Sequence, residues 1–322
     1  LELAEPAHPC NTIAGSFVGG RSGRISPKTH PTDTRMYARV LRFGEVQVGD
    51  TIEVLPPAGD RTPRYERLAR LDAADRRSML SIWRAIEATG VDLRIVDDHE
   101  LLLCCEPGRD GGPWNGGFGF TTLPHLVDRG LEFFRRHRAT GWLELDPDDA
   151  GAPTTEPEET ASILAALPGE LTPGTAAGVT VRTIGPDEAA TWGGTLGRGL
   201  DEGTSVDWAA AAPFLVGAPG STLLLAELDG APVGAAVLQV HRGAGWISGA
   251  AVVPEARGRG IHRALIGERI RLGLAAGCDL FGADAEPGSR SEGNLRAAGF
   301  IAIGRRARWR TSALEPSESS EP

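Results

Sequence analysis

The chain has 322 residues and a formal net charge of −10 at pH 7, a length that indicates two or three domains. The acidic balance argues against a general nucleic-acid or membrane-surface binder, because such proteins present a basic face to phosphates. No apolar run approaches the roughly 20 residues that span a bilayer. We therefore expect a cytoplasmic chain whose partners are neither nucleic acid nor membrane.

The four cysteines show neither paired spacing nor a secretory context. This predicts free thiols in a reducing cytoplasm. The adjacent Cys104 and Cys105 lie in an apolar run and are interpreted as core residues, not metal ligands. The sequence begins with Leu1 and carries no signal-peptide pattern, so we expect that an upstream piece is missing.

The first part of the chain, residues 1–57, is predicted to consist of short strands and turns. "MYARVL" and "GDTIEVL" are rich in β-forming residues, and no long helical period is present. A linker rich in proline and charge follows over residues 58–64.

Residues 65–150 have a mixed α/β pattern. Helices are predicted at "RYERLARL", "RRSMLSIWRAIEATG" and "LPHLVDRGLEFFRRHRATG". Strands are predicted at "VDLRIVDD", "LLLCCEP" and "GWLELDP". Residues 151–176 are acidic and rich in proline and threonine, which predicts a second linker with one short helix near "SILAAL".

Residues 177–312 have the clearest order of elements. "GVTVRTI" predicts a strand, and "PDEAATWGGTL" and "DWAAAAPFL" predict helices. Two strands joined by Asp229-Gly230 predict a hairpin, because that dipeptide suits a tight primed turn. A strand at "WISGAAVVP", a helix over about 259–276, a strand at "DLFGADA", a helix at "SEGNLRAAG" and a strand at "FIAIGRRARWR" follow. Residues 313–322 are predicted to be a disordered acidic tail.

The stretch "VVPEARGRGIHRAL" places arginines and glycines at a strand-to-helix junction. Pro254 ends the strand because it lacks a ladder donor. Glycines allow backbone N–H groups to approach a ligand closely, and the helix start adds unpaired donors and a positive dipole end. The junction predicts a phosphate site, at which Arg257, Arg259 and Arg263 neutralise a pyrophosphate. The alternative is a glycine-rich loop with solvated arginines.

Two common phosphate-binding patterns do not fit this junction. A dinucleotide-binding loop comes early in a βαβ unit, and a P-loop needs Gly-Lys-Ser/Thr. The order closely resembles the GNAT acetyltransferase superfamily, whose Arg/Gln-x-x-Gly-x-Gly/Ala loop follows a strand ending in Val-x-Pro. Val252, Pro254, Arg257 and Gly260 match that pattern, and "SEGNLRAAGF" resembles the family's Asn-bearing helix that ends in Gly-Phe. The resemblance covers residues 177–312.

The resemblance implies a mixed α/β (α+β) fold, with helices flanking a sheet, and acetyl-CoA bound between two parallel strands. A neutral amine would attack the thioester, with donors stabilising the oxyanion. The cofactor-binding residues that it implies are Ala250, Ala251, Val252, Arg257, Gly258, Arg259, Gly260, Ile261, His262 and Asn294.

Two positions depart from the family pattern. His262 occupies the last loop position, where Gly or Ala is usual, and either points outward or touches a phosphate. Leu295 stands where many members have a tyrosine that protonates the leaving thiolate. Water, Ser289, Ser291 or Cys278 would replace that tyrosine, or the thiolate leaves unassisted, since thiol pKa values lie near roughly 8–9.

The general base is not fixed by the motifs. Asp284 and Glu286 are candidates at the end of a strand, and the alternative is that they are ordinary strand-end carboxylates. We take Asp284, Glu286 and Ser291 as the catalytic candidates.

Residues 65–150 resemble the half of a tandem GNAT protein that keeps the fold and loses cofactor binding. Trp114, Asn115 and Phe118 would either line an acceptor cleft or pack the core.

Residues 1–57 resemble the C-terminal part of a MOSC domain, a β-barrel module, through Pro9-Cys10 and the closing Gly44-x-Val46-x-x-Gly49-Asp50. The resemblance implies that Cys10, with His8 nearby, binds molybdenum cofactor or carries sulfur. The alternative is a remnant without function or a fragment of a longer fusion.

Three functions follow from these patterns. The first is acetyl-CoA-dependent N-acetyl transfer to a small-molecule or protein amine. The second is molybdenum-cofactor or sulfur handling at Cys10, and the third is acyl-CoA binding without catalysis.

Overall fold

The computed structural model describes residues 2–7, 35–39, 64–98, 100–149, 152–200 and 206–314. The chain divides into two compact units, Leu1–Tyr65 and Glu66–Pro322. In the first unit, β1 (Glu2–Ala7) pairs antiparallel with β2 (Arg35–Arg39). The remainder of the predicted MOSC segment, with His8 and Cys10, lies outside the described residues.

The second unit is built on one sheet of eleven strands. The strands are β3 (Arg94–Asp97), β4 (Leu102–Cys105), β5 (Gly116–Phe118), β6 (Trp142–Leu145), β7 (Glu159–Ala166), β8 (Val179–Thr183), β9 (Ser221–Leu228), β10 (Ala231–His241), β11 (Ala244–Val252), β12 (Leu280–Ala285) and β13 (Ile301–Arg310). The helices are α1 (Arg64–Ala88), α2 (Val127–His137), α3 (Ala189–Gly199), α4 (Trp208–Leu215), α5 (Ile261–Ala275), α6 (Arg290–Ala297) and α7 (Thr311–Leu314). This mixed sheet with helices confirms the predicted α/β class.

The strand order is β3-β4-β5-β6-β13-β7-β12-β11-β10-β9-β8. The pairs β5–β6 and β11–β12 are parallel, and the other pairs are antiparallel. The last strand, β13, lies between β6 and β7. Strands from the two predicted α/β halves therefore belong to one continuous sheet.

The prediction of a short helix near "SILAAL" is wrong, because that stretch is the strand β7. Ile163 and Ala165 pack in a cluster with Leu71 of α1, whereas Leu164 packs in a cluster with Ile266 of α5. Both faces of β7 are thus covered, which explains the continuous apolar run: a strand buried on both sides has no polar alternation.

The two faces of the sheet carry different helices. One cluster joins α1 to Trp246 of β11 and Ile303 of β13. The opposite cluster joins Ile270 of α5 and Leu295 of α6 to the same sheet. The helix α1 therefore lies on the face opposite to α5 and α6.

The remaining predicted elements of residues 177–312 are present. Asp229 and Gly230 both have positive φ, of 52° and 79°, as the predicted primed turn requires. The predicted disordered tail is wrong at its start, because residues 313 and 314 belong to α7. Its remaining residues lie outside the described ranges. Within those ranges, no helix has the length and apolarity needed to cross a membrane.

Candidate functional site

The strands β11 and β12 separate along their length. They pair in parallel only from Ala244–Leu280 to Trp246–Gly282, although β11 continues to Val252 and β12 to Ala285. On its other edge β11 stays paired with β10 as far as Val252. A gap therefore opens beside the second half of β11, on the side where its parallel neighbour turns away.

A glycine-rich loop connects β11 to α5. Gly258 and Gly260 both have positive φ, of 82° and 79°, a region that residues with a side chain rarely adopt. Gly260 is the N-cap of α5 and makes no side-chain capping bond. The first turn of α5 therefore presents main-chain donors that no cap side chain satisfies.

A cavity of about 770 Å³ lies beside the gap and the loop. It is lined by Gly199, Ala250, Ala251, Val252, Ala256, Arg257, Gly258, Gly260, Ile261, His262, Arg263, Arg290, Ser291 and Asn294. Nine of the ten predicted cofactor residues line it, and so does Ser291. Arg259, Asp284 and Glu286 do not. The roles assigned to these residues stay predictions.

Arg257 joins three elements at the edge of the cavity. Its Nε donates to the carbonyl of Val252 at 3.2 Å, and its Nη2 donates to the carbonyl of Gly199 at 3.0 Å. A Cβ at Gly199 would lie 2.7 Å from the Cβ of Ala251, so the end of α3 can approach β11 only with glycine there. Arg257 thus fixes α3 against the loop while it keeps its charge at the cavity.

His262 and Asn294 form a pair across α5 and α6. Asn294 Nδ2 lies 3.0 Å from His262 Nδ1. Burial, and next the charge of Arg269, lower the pKa of His262 to about 4. A neutral imidazole that accepts at Nδ1 carries its proton on Nε2. His262 is therefore half-buried and bonded, not directed outward as one alternative expected.

Three arginines line the cavity, Arg257, Arg263 and Arg290. Of the three cations predicted for a pyrophosphate, Arg259 is absent from the lining. Arg290, at the first position of α6 after the N-cap Ser289, was missed. The signal available for Arg290 was its place next to the assigned Ser291.

Asp284 is held in an ion pair. Its carboxylate accepts from Arg306 Nη2 at 2.5 Å. Burial opposes ionisation, but the Arg306 guanidinium outweighs it and lowers the pKa of Asp284 below its usual value. A carboxylate with a lowered pKa is a weak base, which disfavours the predicted catalytic role. Glu286 is exposed and directly follows β12.

Arg306 also binds two other carboxylates. Its Nη1 lies 2.5 Å from Asp75 of α1 and 2.8 Å from Glu144 of β6. We call Asp75, Glu144, Asp284 and Arg306 the Arg306 cluster. Burial outweighs the attraction of Arg306 and Arg308 and raises the pKa of Glu144 to about 7. No sequence pattern indicated this cluster.

The residues that were candidates for lining an acceptor cleft are mostly core residues. Asn115 is fully buried and bonds the backbone at Glu106, Arg109 and Thr140. Phe118 is buried against Trp83 and Trp142. Trp114 is half-buried, with its ring 6.4 Å from that of Trp208. The structure thus favours the core alternative for Asn115 and Phe118.

The three described cysteines, Cys104, Cys105 and Cys278, are free and buried. Burial is the main cause that raises the pKa of each thiol. Cys278 therefore lacks the exposed thiolate that a nucleophile or proton donor needs. In the described ranges, no group of three or more His, Cys, Asp or Glu side chains could hold a metal ion. The molybdenum or sulfur role of Cys10 stays a prediction.

Several solved structures are similar to the chain at low identity. A GCN5-related N-acetyltransferase from Kribbella flavida is 18% identical with a TM-score of 0.46, and the match covers 73% of this chain and 94% of that one. A GCN5-related N-acetyltransferase from Sphaerobacter thermophilus is 21% identical with a TM-score of 0.45, over 76% and 91%. A tandem GNAT protein from the clavulanic acid biosynthesis pathway is 16% identical with a TM-score of 0.48, over 77% and 96%.

No curated protein matches the sequence. A family model does match, over residues 198–300, and its description is "Acetyltransferase (GNAT) family". The matched segment runs from the end of α3 through the hairpin, β11, the glycine-rich loop and α5 to α6. The GNAT resemblance predicted from the loop is thus confirmed for residues 198–300.

Proposed function

We propose that residues 177–312 form an acetyl-CoA-dependent N-acetyltransferase domain that transfers an acyl group to a primary amine. The observation that carries this proposal is the cavity where β11 leaves β12, bounded by the loop and helix start of the matched family. A small-molecule or protein amine is the acceptor.

The residues of the cavity fit an anionic acyl carrier. No heavy atom lies within 4 Å of the position that a Cβ on Gly258 would occupy. A ligand therefore has room beside this residue. The main-chain donors at the start of α5, with Arg257, Arg263 and Arg290, suit a pyrophosphate. The main chain of Ala250–Val252 suits the amides of an extended arm. The volume of about 770 Å³ is in the range of small-ligand sites.

The bound acyl carrier would supply an activated carbonyl carbon, at which the amine nitrogen forms a bond while the carbon–sulfur bond breaks to give the amide and a free thiol. The amine nitrogen loses one proton and the sulfur gains one. The chain therefore has to receive a proton on the acceptor side and offer a donor on the sulfur side.

We assign Ser291 as the donor for the sulfur. It lines the cavity one helical turn before Leu295, and residues four apart share a helix face. Ser289 is less suitable because its hydroxyl caps α6 by accepting from the backbone of Glu292. A hydroxyl hydrogen bond is sufficient help, because thiolates are moderate leaving groups, with thiol pKa values near roughly 8–9.

On the acceptor side we assign Glu286 rather than Asp284. The lowered pKa of Asp284 and its bond to Arg306 leave it little tendency to take a proton. Glu286 is exposed and follows the same strand end. We expect transfer to accelerate with pH as the acceptor ammonium deprotonates.

A second function, acyl-CoA binding without catalysis, is favoured by one observation. Leu295, at the position of the family's tyrosine, is 3% exposed and packs in the core. It offers no proton donor. Binding without turnover is the behaviour that this alternative requires.

The test combines calorimetry with a thiol-release assay. Purified chain is titrated with acetyl-CoA and then incubated with acetyl-CoA and a panel of primary amines. We expect micromolar binding and amine-dependent release of thiol. Binding without amine-dependent release would favour the non-catalytic alternative. Absence of any binding heat would contradict both.

A further inference from the structure

Arg269 of α5 is among the largest fully buried side chains, with 1% of its surface exposed. Its Nε donates to the carbonyl of Leu265 at 3.0 Å. Its Nη1 donates to the carbonyls of Val237 at 3.3 Å and Ser248 at 3.1 Å. Among the described residues, it forms no ion pair with a carboxylate. All its recorded partners are main-chain oxygens.

Burying a cation without a counter-charge is costly. Burial lowers the pKa of Arg269 to about 9, so the guanidinium stays charged at neutral pH. A structural arginine is usually placed at the surface or paired with a carboxylate. The position of Arg269 therefore calls for a specific reason, which its two strand partners supply.

Val237 and Ser248 mark a β-bulge. Ala235 pairs with Ala251, but Val237 pairs with Ser248, so β11 has one residue more than β10 between these pairs. Gly249 within the bulge has a φ of 53°. A bulge leaves its extra residue outside the ladder and bends the strand. Arg269 donates to both strands at this point and thus braces the bulge.

The bulge directly precedes the part of β11 that lines the cavity. Ala250, Ala251 and Val252 line the cavity immediately after Gly249. The parallel pairing with β12 ends at Trp246, two residues before Ser248. The bulge thus lies where the strands separate and where the main chain turns towards the cavity.

We infer that Arg269 is a positioning residue for the cofactor site: by holding the bulge at Ser248 and Gly249, it sets the direction in which the main chain of Ala250–Val252 faces the cavity. This inference rests on the proposed function, because the ligand whose arm pairs with that main chain is acetyl-CoA. The charge of Arg269 also reaches the cavity wall, since it contributes to the lowered pKa of His262.

Arg269→Gln and Arg269→Lys separate geometry from charge. Gln keeps an amide donor without charge, whereas Lys keeps the charge without the planar fork that reaches three carbonyls. Arg271→Gln is the matched control, because Arg271 lies two residues further along α5, is exposed and pairs with Glu268. We expect about tenfold weaker acetyl-CoA binding for Arg269→Gln, a smaller loss for Arg269→Lys and none for Arg271→Gln.

Two measurements are made on the full chain below its unfolding temperature. Hydrogen exchange without ligand should accelerate in the peptide over residues 246–253 of Arg269→Gln, and not in the peptide over 221–228. Calorimetry with acetyl-CoA should show the loss of affinity in the folded variant. A merely structural role would lower the unfolding temperature and leave both the local exchange and the affinity unchanged, and that result would overturn the inference.

The outcomes distinguish the inference from the proposed function. Wild type that binds no acetyl-CoA would overturn the proposed function, and with it the assignment of Arg269 to a cofactor site. Wild type that binds, with Arg269→Gln equal to it in affinity and exchange, would overturn the inference alone. If both Arg269 variants unfold, Gly249→Val strains the same bulge, because a β-branched residue disfavours a φ of 53°. An unchanged acetyl-CoA affinity of Gly249→Val would then overturn the inference.

Discussion

The loop around the cavity and the Arg306 cluster both concentrate charge, but they are built in opposite ways. The loop takes its donors and cations from a few consecutive residues, 257–263, whose main chain is shaped by Gly258 and Gly260. The Arg306 cluster joins side chains from α1, β6, β12 and β13, and Asp75 lies 231 residues from Arg306. A site of consecutive residues is visible in the sequence, whereas a site of distant ones requires the sheet order.

The two regions also differ in what their charges do. Two of the loop arginines, Arg257 and Arg263, line the cavity. Arg306 is 7% exposed in its side chain and is surrounded by three carboxylates. The first arrangement suits an external anion, and the second holds the two ends of the chain's α/β unit together. Changes in the two regions should therefore affect different quantities.

The largest effect is expected for Arg306→Met. It leaves three carboxylates without their shared cation, which costs about 3–5 kcal/mol of the free energy of unfolding. Arg305→Met is the matched control on the same strand, because Arg305 is exposed and its ion pair with Asp148 lies at the surface; its cost is under about 1 kcal/mol. Urea unfolding of both variants checks the prediction, and equal losses would show that the cluster is not a stabilising element.

A pH effect should follow from Glu144. Its pKa of about 7 in the folded chain lies above the ordinary value of 4.5. Between these values the folded state holds a proton that the unfolded state has lost, so stability falls as pH rises from about 4.5 to 7. The contribution is at most about 1.4 kcal/mol per pH unit. Glu144→Gln should flatten the curve of unfolding free energy against pH in this window. A slope that stays unchanged would refute the assignment.

Asp284 has the opposite effect on the pH dependence of stability, and it acts in a lower pH range. Its pKa is lowered in the folded chain, so the stability that it contributes is present above its ordinary value of 3.8 and is lost at lower pH. The Glu144 effect is thus separable from it. Asp72, whose pKa burial raises to about 6, adds to the Glu144 slope, so Glu144→Gln reduces the slope without abolishing it.

The smallest effect is expected for Ser291→Ala. If its hydroxyl helps the thiolate to leave, turnover at pH 7 should fall about tenfold while acetyl-CoA affinity stays unchanged. Ser81→Ala on α1, whose hydroxyl bonds the backbone of Arg77, is the control. A loss of affinity with unchanged turnover would instead identify Ser291 as a binding residue.

The sequence predicted the elements whose signals are local. The primed turn at Asp229-Gly230, the strand before Pro254 and the glycine-rich loop all follow from the residues that form them. The sequence did not predict the elements whose structure depends on their position in the sheet. Residues 159–166 form a central strand that the composition of the surrounding linker concealed, and α1 runs as one helix over residues 64–88 where two were expected. The apolar run that contains Ile163 and Leu164 is explained as a strand only when helices are known to cover both faces of the sheet.

The candidate site divides in the same way. Most of the cavity lining follows from the loop pattern and from the predicted Ser291 and Asn294 of α6, whereas Gly199 of α3 and Arg290 of α6 were not predicted. The predicted base Asp284 illustrates the limit, because only the pairing of β12 with β7 and of β7 with β13 reveals Arg306 beside it. Arg269 has no motif at all, since its role depends on a bulge between two strands.

The central claim is that the loop holds an anionic acyl carrier, and a matched pair of glycine variants tests it most directly. Gly258 and Gly217 both have a φ of 82°, both are exposed, and neither has a heavy atom within 4 Å of an added Cβ. Only Gly258 lines the cavity. Calorimetry with acetyl-CoA should show wild-type affinity for Gly217→Glu and a loss of at least about 100-fold for Gly258→Glu, because the new carboxylate would meet the phosphates. Equal affinities for the two variants would contradict the account.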